Sequence, residues 1–351
     1  VYVDHVVTGT QWVSQTVPGP MGANSLVGIT CSTKAECIIQ ANNNQILGTP
    51  DAGNSWVIAQ PEGGPFESPN GMNCNAYGCV AAVSVSGGDQ GRFLGIFDVS
   101  GWGSASGDFP FKPPTLFTNG EMSCTASGLF CALIVSSSRD GGRLTSQTWI
   151  SRLLVDGNNE TFWNPVSTMA WHPGRPDPPQ QPSCPLENRC FAYGFQTIWS
   201  TVDGGVRWRP AYTLPQHELL SFTSISCASA SDCMAGTSEG SVAVTDDRGR
   251  TWTLDTIPGW CTSLDSQECG SVVGLDCVTN ATCYAGSGDY NDASASSQID
   301  VTSDAGKHWT SMSMPQTSLS AIACARANDC WAVGSSLPVG ASTSPVILHL
   351  G

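Results

Sequence analysis

Ser221–Pro258 reads SFTSISCASASDCMAGTSEGSVAVTDDRGRTWTLDTIP. Its first seven residues alternate polar and apolar side chains, the period-two pattern of a half-buried strand. A polar turn over 228–232 leads to a second strand, Cys233–Thr237, and Glu239 with Gly240 makes the next turn. Ser241–Thr245 is a third strand, and the turn from Thr245 to Trp252 feeds a fourth that ends near Pro258. Four short antiparallel strands in a row, without helical periodicity, predict one compact four-stranded sheet.

The unit recurs along the chain, marked by a cysteine pair between its first two strands. The pairs are Cys31/Cys37, Cys74/Cys79, Cys124/Cys131, Cys184/Cys190, Cys227/Cys233, Cys277/Cys283 and Cys324/Cys330, and successive pairs start 43 to 60 residues apart. That period is one blade of a β-propeller. The predicted fold is therefore all-β: a seven-bladed β-propeller of four-stranded antiparallel blades, with one disulfide per blade and a single domain spanning 1–351.

The turn before each fourth strand resembles the Asp-box (BNR repeat), S/T-x-D-x-G-x-x-W, of sialidases, xyloglucanases, sortilin-type receptors and photosystem assembly factors. Four copies fit in full: Thr49/Asp51/Gly53/Trp56, Thr201/Asp203/Gly205/Trp208, Thr245/Asp247/Gly249/Trp252 and Thr302/Asp304/Gly306/Trp309. The chemistry suits a hairpin anchor, with Asp accepting backbone N–H groups, Gly taking a positive φ and Trp wedging between sheets. The resemblance implies that the box lies away from any active site. The third copy keeps only Asp156, Gly157 and Trp163 at altered spacing, and the second is lost around Asp98–Trp102.

The last copy stops after one strand beyond its cysteines. Gly9-Thr10-Gln11-Trp12, running on to Pro18, keeps the G-x-x-W of the box. The segment at about 6–18 is thus expected to complete the last blade, about 319–351, and close the ring, which removes an open sheet edge.

The sixteen cysteines comprise these seven pairs plus Cys261/Cys269. Zinc sites call for two close pairs, usually C-x2-4-C, converging on one ion, whereas here the pairs are spread one per blade and the five histidines do not cluster with them. Disulfides are expected instead, and with them a secreted, extracellular or cell-surface location. The chain starts with Val1, which fits a processed or excised chain, and Asn159 and Asn280 head sequons. No apolar run approaches a membrane span. With 14 basic against 29 acidic residues, the chain lacks the basic stripe a nucleic-acid partner requires.

Function is expected where the repeat breaks down, on the face carrying the insertions at 60–69, 86–91, 109–114, 136–146, 170–182, 260–270, 286–298 and 335–344. Trp171, His172, Arg175 and Asp177 gather an aromatic platform, an imidazole, a guanidinium and a carboxylate, equipment for a sugar ring; the other reading is a proline-stiffened crossing between blades. Trp260 stands beside the Cys261/Cys269 clamp, which either presents a surface or staples a long connection. Asp289 and Tyr290 lie in an oxygen-rich stretch that resembles part of a calcium loop but lacks the spacing and terminal Glu of an EF-hand. No cofactor is expected, a structural calcium there being the one left open.

Two functions fit. One is a non-catalytic propeller binding a carbohydrate or an extracellular protein, as a homo-oligomer or part of a surface assembly, with a shallow or plugged axis. The other is a glycoside hydrolase or polysaccharide lyase, with a deep axial funnel and convergent carboxylates such as Asp89, Asp140, Glu218, Glu239, Asp289 and Asp292. The sialidase resemblance would imply an arginine triad starting in an R-I-P motif near the N-terminus, but Arg92 is the first arginine and Arg-Ile-Pro is absent. Xyloglucanases join two propellers around a cleft, and the photosystem factors carry an arginine patch that this chain lacks.

Overall fold

The computed structural model describes residues 11–17, 23, 25–32, 36–43, 45–59, 66–75, 78–85, 94–98, 101–102, 117–127, 130–139, 143–152, 162–170, 176–215, 220–260, 269–288, 297–337 and 343–351. These residues form seven four-stranded antiparallel sheets. The innermost strands of the blades are, in chain order, Leu26–Cys31, Phe66–Asn75, Phe117–Cys124, Gln181–Leu186, Phe222–Cys227, Ser271–Cys277 and Thr317–Arg326. Each contacts the next, and the seventh contacts the first, so the row of blades returns on itself.

Blade five follows the sequence pattern closely: Phe222–Cys227, Cys233–Thr237, Ser241–Thr245 and Thr253–Thr256. Its middle strands are almost wholly buried because both faces are covered by neighbouring blades, while the outer strand is mostly exposed. Blade seven takes its outer strand from the other end of the chain. Trp12–Gln15 pairs antiparallel with Pro345–Leu350, Trp12 opposite Leu350 and Gln15 opposite Ile347. The described pairing is shorter than the expected 6–18, but it anchors well: Trp12 is buried against Tyr284 and Ile299 of blade six and Leu348 and Leu350 of its own blade. The drifted second blade keeps a minimal outer strand, Gly101–Trp102.

Every blade carries the disulfide expected from its cysteine pair. Cys31 is bonded to Cys37, Cys74 to Cys79, Cys124 to Cys131 and Cys184 to Cys190. Cys227 is bonded to Cys233, Cys277 to Cys283 and Cys324 to Cys330. The Cα atoms of each pair are 3.9–4.1 Å apart. In six blades the two cysteines also stand opposite each other in strand register; in blade four the register shifts between Ser183 and Leu186, at Cys184. The second-strand members Cys37, Cys79, Cys131, Cys190, Cys233, Cys283 and Cys330 are all buried, so the clamps lie inside the blades. Cys269 is also in a disulfide, while Cys261 falls outside the described residues, among which there is no free cysteine. Each blade clamp closes a loop of under ten residues, worth about 2 kcal/mol in the chain-entropy model.

The four T-x-D-x-G turns share one geometry. The threonine hydroxyl donates to the Asp carboxylate at 2.9–3.0 Å and accepts the glycine N–H at 2.7–3.0 Å. The same carboxylate accepts the N–H of Ser55, Arg207, Thr251 or His308. All four glycines have φ between 75° and 89°. They need it, since the turn presses on the preceding blade: a Cβ on Gly53 would lie 2.2 Å from Trp331, and one on Gly249 would lie 2.5 Å from Phe191. The turn tryptophans wedge into the same seams. Trp56 meets Trp331 edge-on at 5.7 Å, Trp252 meets Phe191 at 6.0 Å, and Trp208 donates to Thr148 at 3.0 Å. Trp309 packs on the cluster between blades five and six, and its indole N–H donates to the Gly306 carbonyl of its own turn at 3.1 Å.

Candidate functional site in the axial channel

The inner strands enclose a channel of 810 Å³ that all seven blades line. This differs from the shallow or plugged axis expected of a binding module. Strand bulges build part of the wall. Register shifts beside Gly28, Ser224, Gly274 and Ala321 leave Val27, Thr223, Val273 and Ser320 as extra residues, and all four line the channel.

Toward the disulfides, the wall is tied by a ring of hydrogen bonds between blades. The residue before each first cysteine accepts the backbone N–H of the next blade's first cysteine. Thr30 accepts from Cys74 at 3.1 Å, Asn73 from Cys124 at 3.1 Å and Ser123 from Cys184 at 2.9 Å. Ser183 accepts from Cys227 at 3.0 Å, Ser226 from Cys277 at 3.0 Å and Asp276 from Cys324 at 2.7 Å. The seventh acceptor is missing, because Ala323 stands at that position and offers only a methyl group toward the joint with blade one.

Asp276 and Glu121 are the carboxylates among the described lining, which includes no Lys, Arg or His. Both oxygens of Asp276 are committed, one to Cys324 N–H and the other to the Ser226 hydroxyl at 3.3 Å. Burial pushes its carboxyl up to about 6 despite those bonds. Glu121 has no described hydrogen-bond partner, and desolvation alone pushes it up to about 7. The cause is visible by comparison with blade four. Gln181, like Glu121, sits three residues before the first cysteine; opposite it in register is Tyr193, whose hydroxyl lies 2.6 Å from the Gln181 side-chain oxygen. Opposite Glu121 is Ile134, which has nothing to donate.

The turn aspartates have a different environment. Asp51 is lowered by the Ser55 hydroxyl and N–H, and Asp247 falls to about 2 through the Thr251 hydroxyl and N–H. For Asp203 and Asp304 burial pushes upward, but hydrogen bonds from Arg207 and from His308 outweigh it, and both are lowered. Each of these carboxylates is consumed by its own hairpin.

Of the residues singled out in the sequence, Trp171, His172, Arg175, Asp289 and Tyr290 lie outside the described residues, as do Asp89, Asp140, Glu218 and Asp292. Asp177 is partly buried and raised by burial, and its carbonyl accepts the Trp199 indole N–H at 2.8 Å, so this crossing lies against its own blade. Trp260 is buried between blades five and six, among Val242, Val272 and Ala285, and its indole N–H donates to the Asp300 carboxylate. It therefore presents no ring for stacking: an indole beside a clamped loop finds a dry seam as readily as a ligand. Glu239 occupies the turn ahead of Ser241–Thr245.

Glu121 and Asp276 were missed because each looks like an ordinary polar strand residue. Aligning the blades on their first cysteines exposes both, since Glu121 stands where other blades have Gly28, Gly71, Gln181, Ser224, Gly274 and Ala321.

A second cleft of 320 Å³ lies between blades five and six, bordered by Asp232, Asp246, Asp255, Asn280 and Lys307. Among the described residues no group of three or more His, Cys, Asp or Glu is placed to hold a metal, and no helix is long and apolar enough to cross a membrane.

These features define a β-propeller with a disulfide in each blade. No family model and no curated protein matches the chain. Solved structures match in fold. YCF48 bound to a D1 peptide aligns at a TM-score of 0.62 and 11% identity, covering 98% of this chain and 96% of that one. YCF48 from Cyanidioschyzon merolae aligns at 0.54 and 13%, covering 97% and 98%. The GH74 xyloglucanase from Xanthomonas campestris aligns at 0.60 and 10%, with 96% of this chain matching 55% of the enzyme. At such identities the likeness is one of fold.

Proposed function

We propose that the chain is a secreted or surface-exposed, non-catalytic propeller that binds a carbohydrate or an extracellular protein through its variable-loop face, as a module of an extracellular assembly. The observation that carries this reading is that the described carboxylates of the turns and of the channel wall are, but for Glu121, committed to partners of their own. A retaining or inverting glycosidase needs two carboxyl groups facing one bond. Here the four turn aspartates are held by their own hairpins, and Asp276 is held by the blade joint. That leaves Glu121 as the uncommitted carboxyl of the described lining. The paired cysteines suit an oxidising exterior. One structural neighbour was solved bound to a peptide, which agrees with a propeller acting as a binding platform.

The enzyme reading keeps specific support, beginning with the open axial channel in place of a plugged axis. A carboxyl raised to about 7 in a channel is what a general acid requires, and a xyloglucanase shares the fold. A panel of plant and bacterial polysaccharides separates the two. The expected result is saturable retention of a glycan or protein ligand with no new reducing ends. Release of reducing sugar or of unsaturated product overturns the proposal.

A further inference from the structure

We propose that the axial channel is a binding site for an alkyl ammonium group, with Glu121 as its counter-ion. This site lies on the ring axis and does not rest on the loop-face reading. Four observations converge on it.

First, Glu121 lines the channel half-buried and has no hydrogen-bond partner among the described residues, because Ile134, opposite it in register, has nothing to donate. Second, the lining excludes anions. Its described residues hold two carboxyl groups and no cationic side chain, and the whole chain carries a net charge of −15, which favours cations near the protein. Third, the lining argues against a sugar ring. Among its described residues there is no Trp or Phe, and their one aromatic, Tyr193, has its hydroxyl engaged by Gln181 and the Thr223 carbonyl. Fourth, it suits methylene groups, since Val27, Ile29, Met72, Met122 and Val273 share the wall with the polar groups.

An ammonium at Glu121 would donate the charge-assisted hydrogen bond that no described residue supplies, in surroundings where Coulomb attraction is less screened than in bulk water. The titratable groups of the described lining are Glu121, Asp276 and Tyr193, and the disulfide cysteines do not titrate. Asp276 is occupied by Cys324 and Ser226, so the proton that moves on binding comes from Glu121. With its carboxyl near 7, an arriving cation displaces close to one proton at pH 6 and almost none at pH 8.

The test is isothermal titration calorimetry of the full chain with 1,4-diaminobutane at 0.15 M salt, in two buffers of different ionisation enthalpy. The expected outcome is saturable one-to-one binding, with proton release near one at pH 6 that vanishes at pH 8. Glu121→Gln should weaken binding about 30-fold or more. Gln fills the same position in blade four as Gln181, so the variant has a precedent in this fold. The proton count on the unaltered chain stands as a second measurement that needs no variant. 1,4-Butanediol, which has the same length without charge, should not bind. A capped tetrapeptide with one lysine distinguishes the source: tighter binding than the diamine assigns the ammonium to a protein side chain, weaker binding to a small amine. No saturable binding, binding unchanged in Glu121→Gln, or equal binding of the diol would overturn the proposal.

Discussion

The hydrogen-bond ring around the axis makes a prediction that can be worked from individual bonds. Six of seven blade joints carry a side-chain acceptor for the next blade's first cysteine N–H, and the joint closing the ring does not. Ser123→Ala removes one acceptor at a buried site, where the 2.9 Å bond to Cys184 is enclosed by blades three and four. The loss combines a net hydrogen bond with an unsatisfied buried donor, so destabilisation of about 1–3 kcal/mol is expected. Ala323→Ser does the reverse at the open joint. Ala323 is 7% exposed and the added hydroxyl is small, so a gain of about 0.5–1 kcal/mol is expected if the serine oxygen reaches Cys31 as its counterparts reach theirs. Urea unfolding with disulfides intact, monitored by tryptophan fluorescence, reads both as midpoint shifts at constant slope. A neutral Ser123→Ala, or an Ala323→Ser variant that destabilises by more than about 1 kcal/mol, would refute the idea that these bonds hold the ring.

Three further outcomes follow from the same structure. Gly53→Ala should cost more than about 2 kcal/mol, because the turn needs a φ of 80° and the new methyl would meet Trp331. Gly259→Ala, also at positive φ but with no atom within 4 Å, should cost only about 1 kcal/mol in the same denaturation assay. Glu121 predicts a pH dependence: its folded pKa near 7 exceeds the ordinary value of 4.5, so its contribution is intact below about 4.5 and is lost as pH rises through 7. Glu121→Gln should remove that fall and stabilise the chain at pH 8 by about 1–2 kcal/mol, the full shift being discounted for channel water. Deleting residues 1–17 would uncover the Pro345–Leu350 edge and the Trp12 cavity, so light scattering should show oligomers at concentrations where the full chain is monodisperse. A monodisperse truncated chain would contradict the role assigned to that strand.

Much of the architecture was legible because repetition writes the same physics several times. Cysteine pairs at a blade-length period, in phase with four T-x-D-x-G-x-x-W turns, admit few arrangements other than stacked hairpins in a ring. The donor role of Trp12 could be read because the last blade lacked a strand and the N-terminus carried a surplus one. Local chemistry was equally direct in the turns, where Thr, Asp and Gly act within five residues. The site was harder to read. For Trp260 the clamped loop beside it left a presented surface and a stapled connection both open, and its partner proved to be Asp300, forty residues away in the next blade. Glu121 was not singled out at all, since alternation says which face a side chain takes but not what stands across from it.

From its sequence alone, then, this chain commits to seven clamped blades, an N-terminal strand that joins the last one, and turn aspartates that serve hairpins. These are short-range decisions, made by spacing and by residues that bond within one turn. The tertiary structure decided what the blades enclose: an axial channel, a hydrogen-bond ring open at one joint, and a carboxyl lining the channel with no partner among the described residues. The ring depends on bonds between blades whose cysteine pairs start 43 to 60 residues apart, and the surroundings of Glu121 depend on the register inside blade three that sets Ile134 across from it.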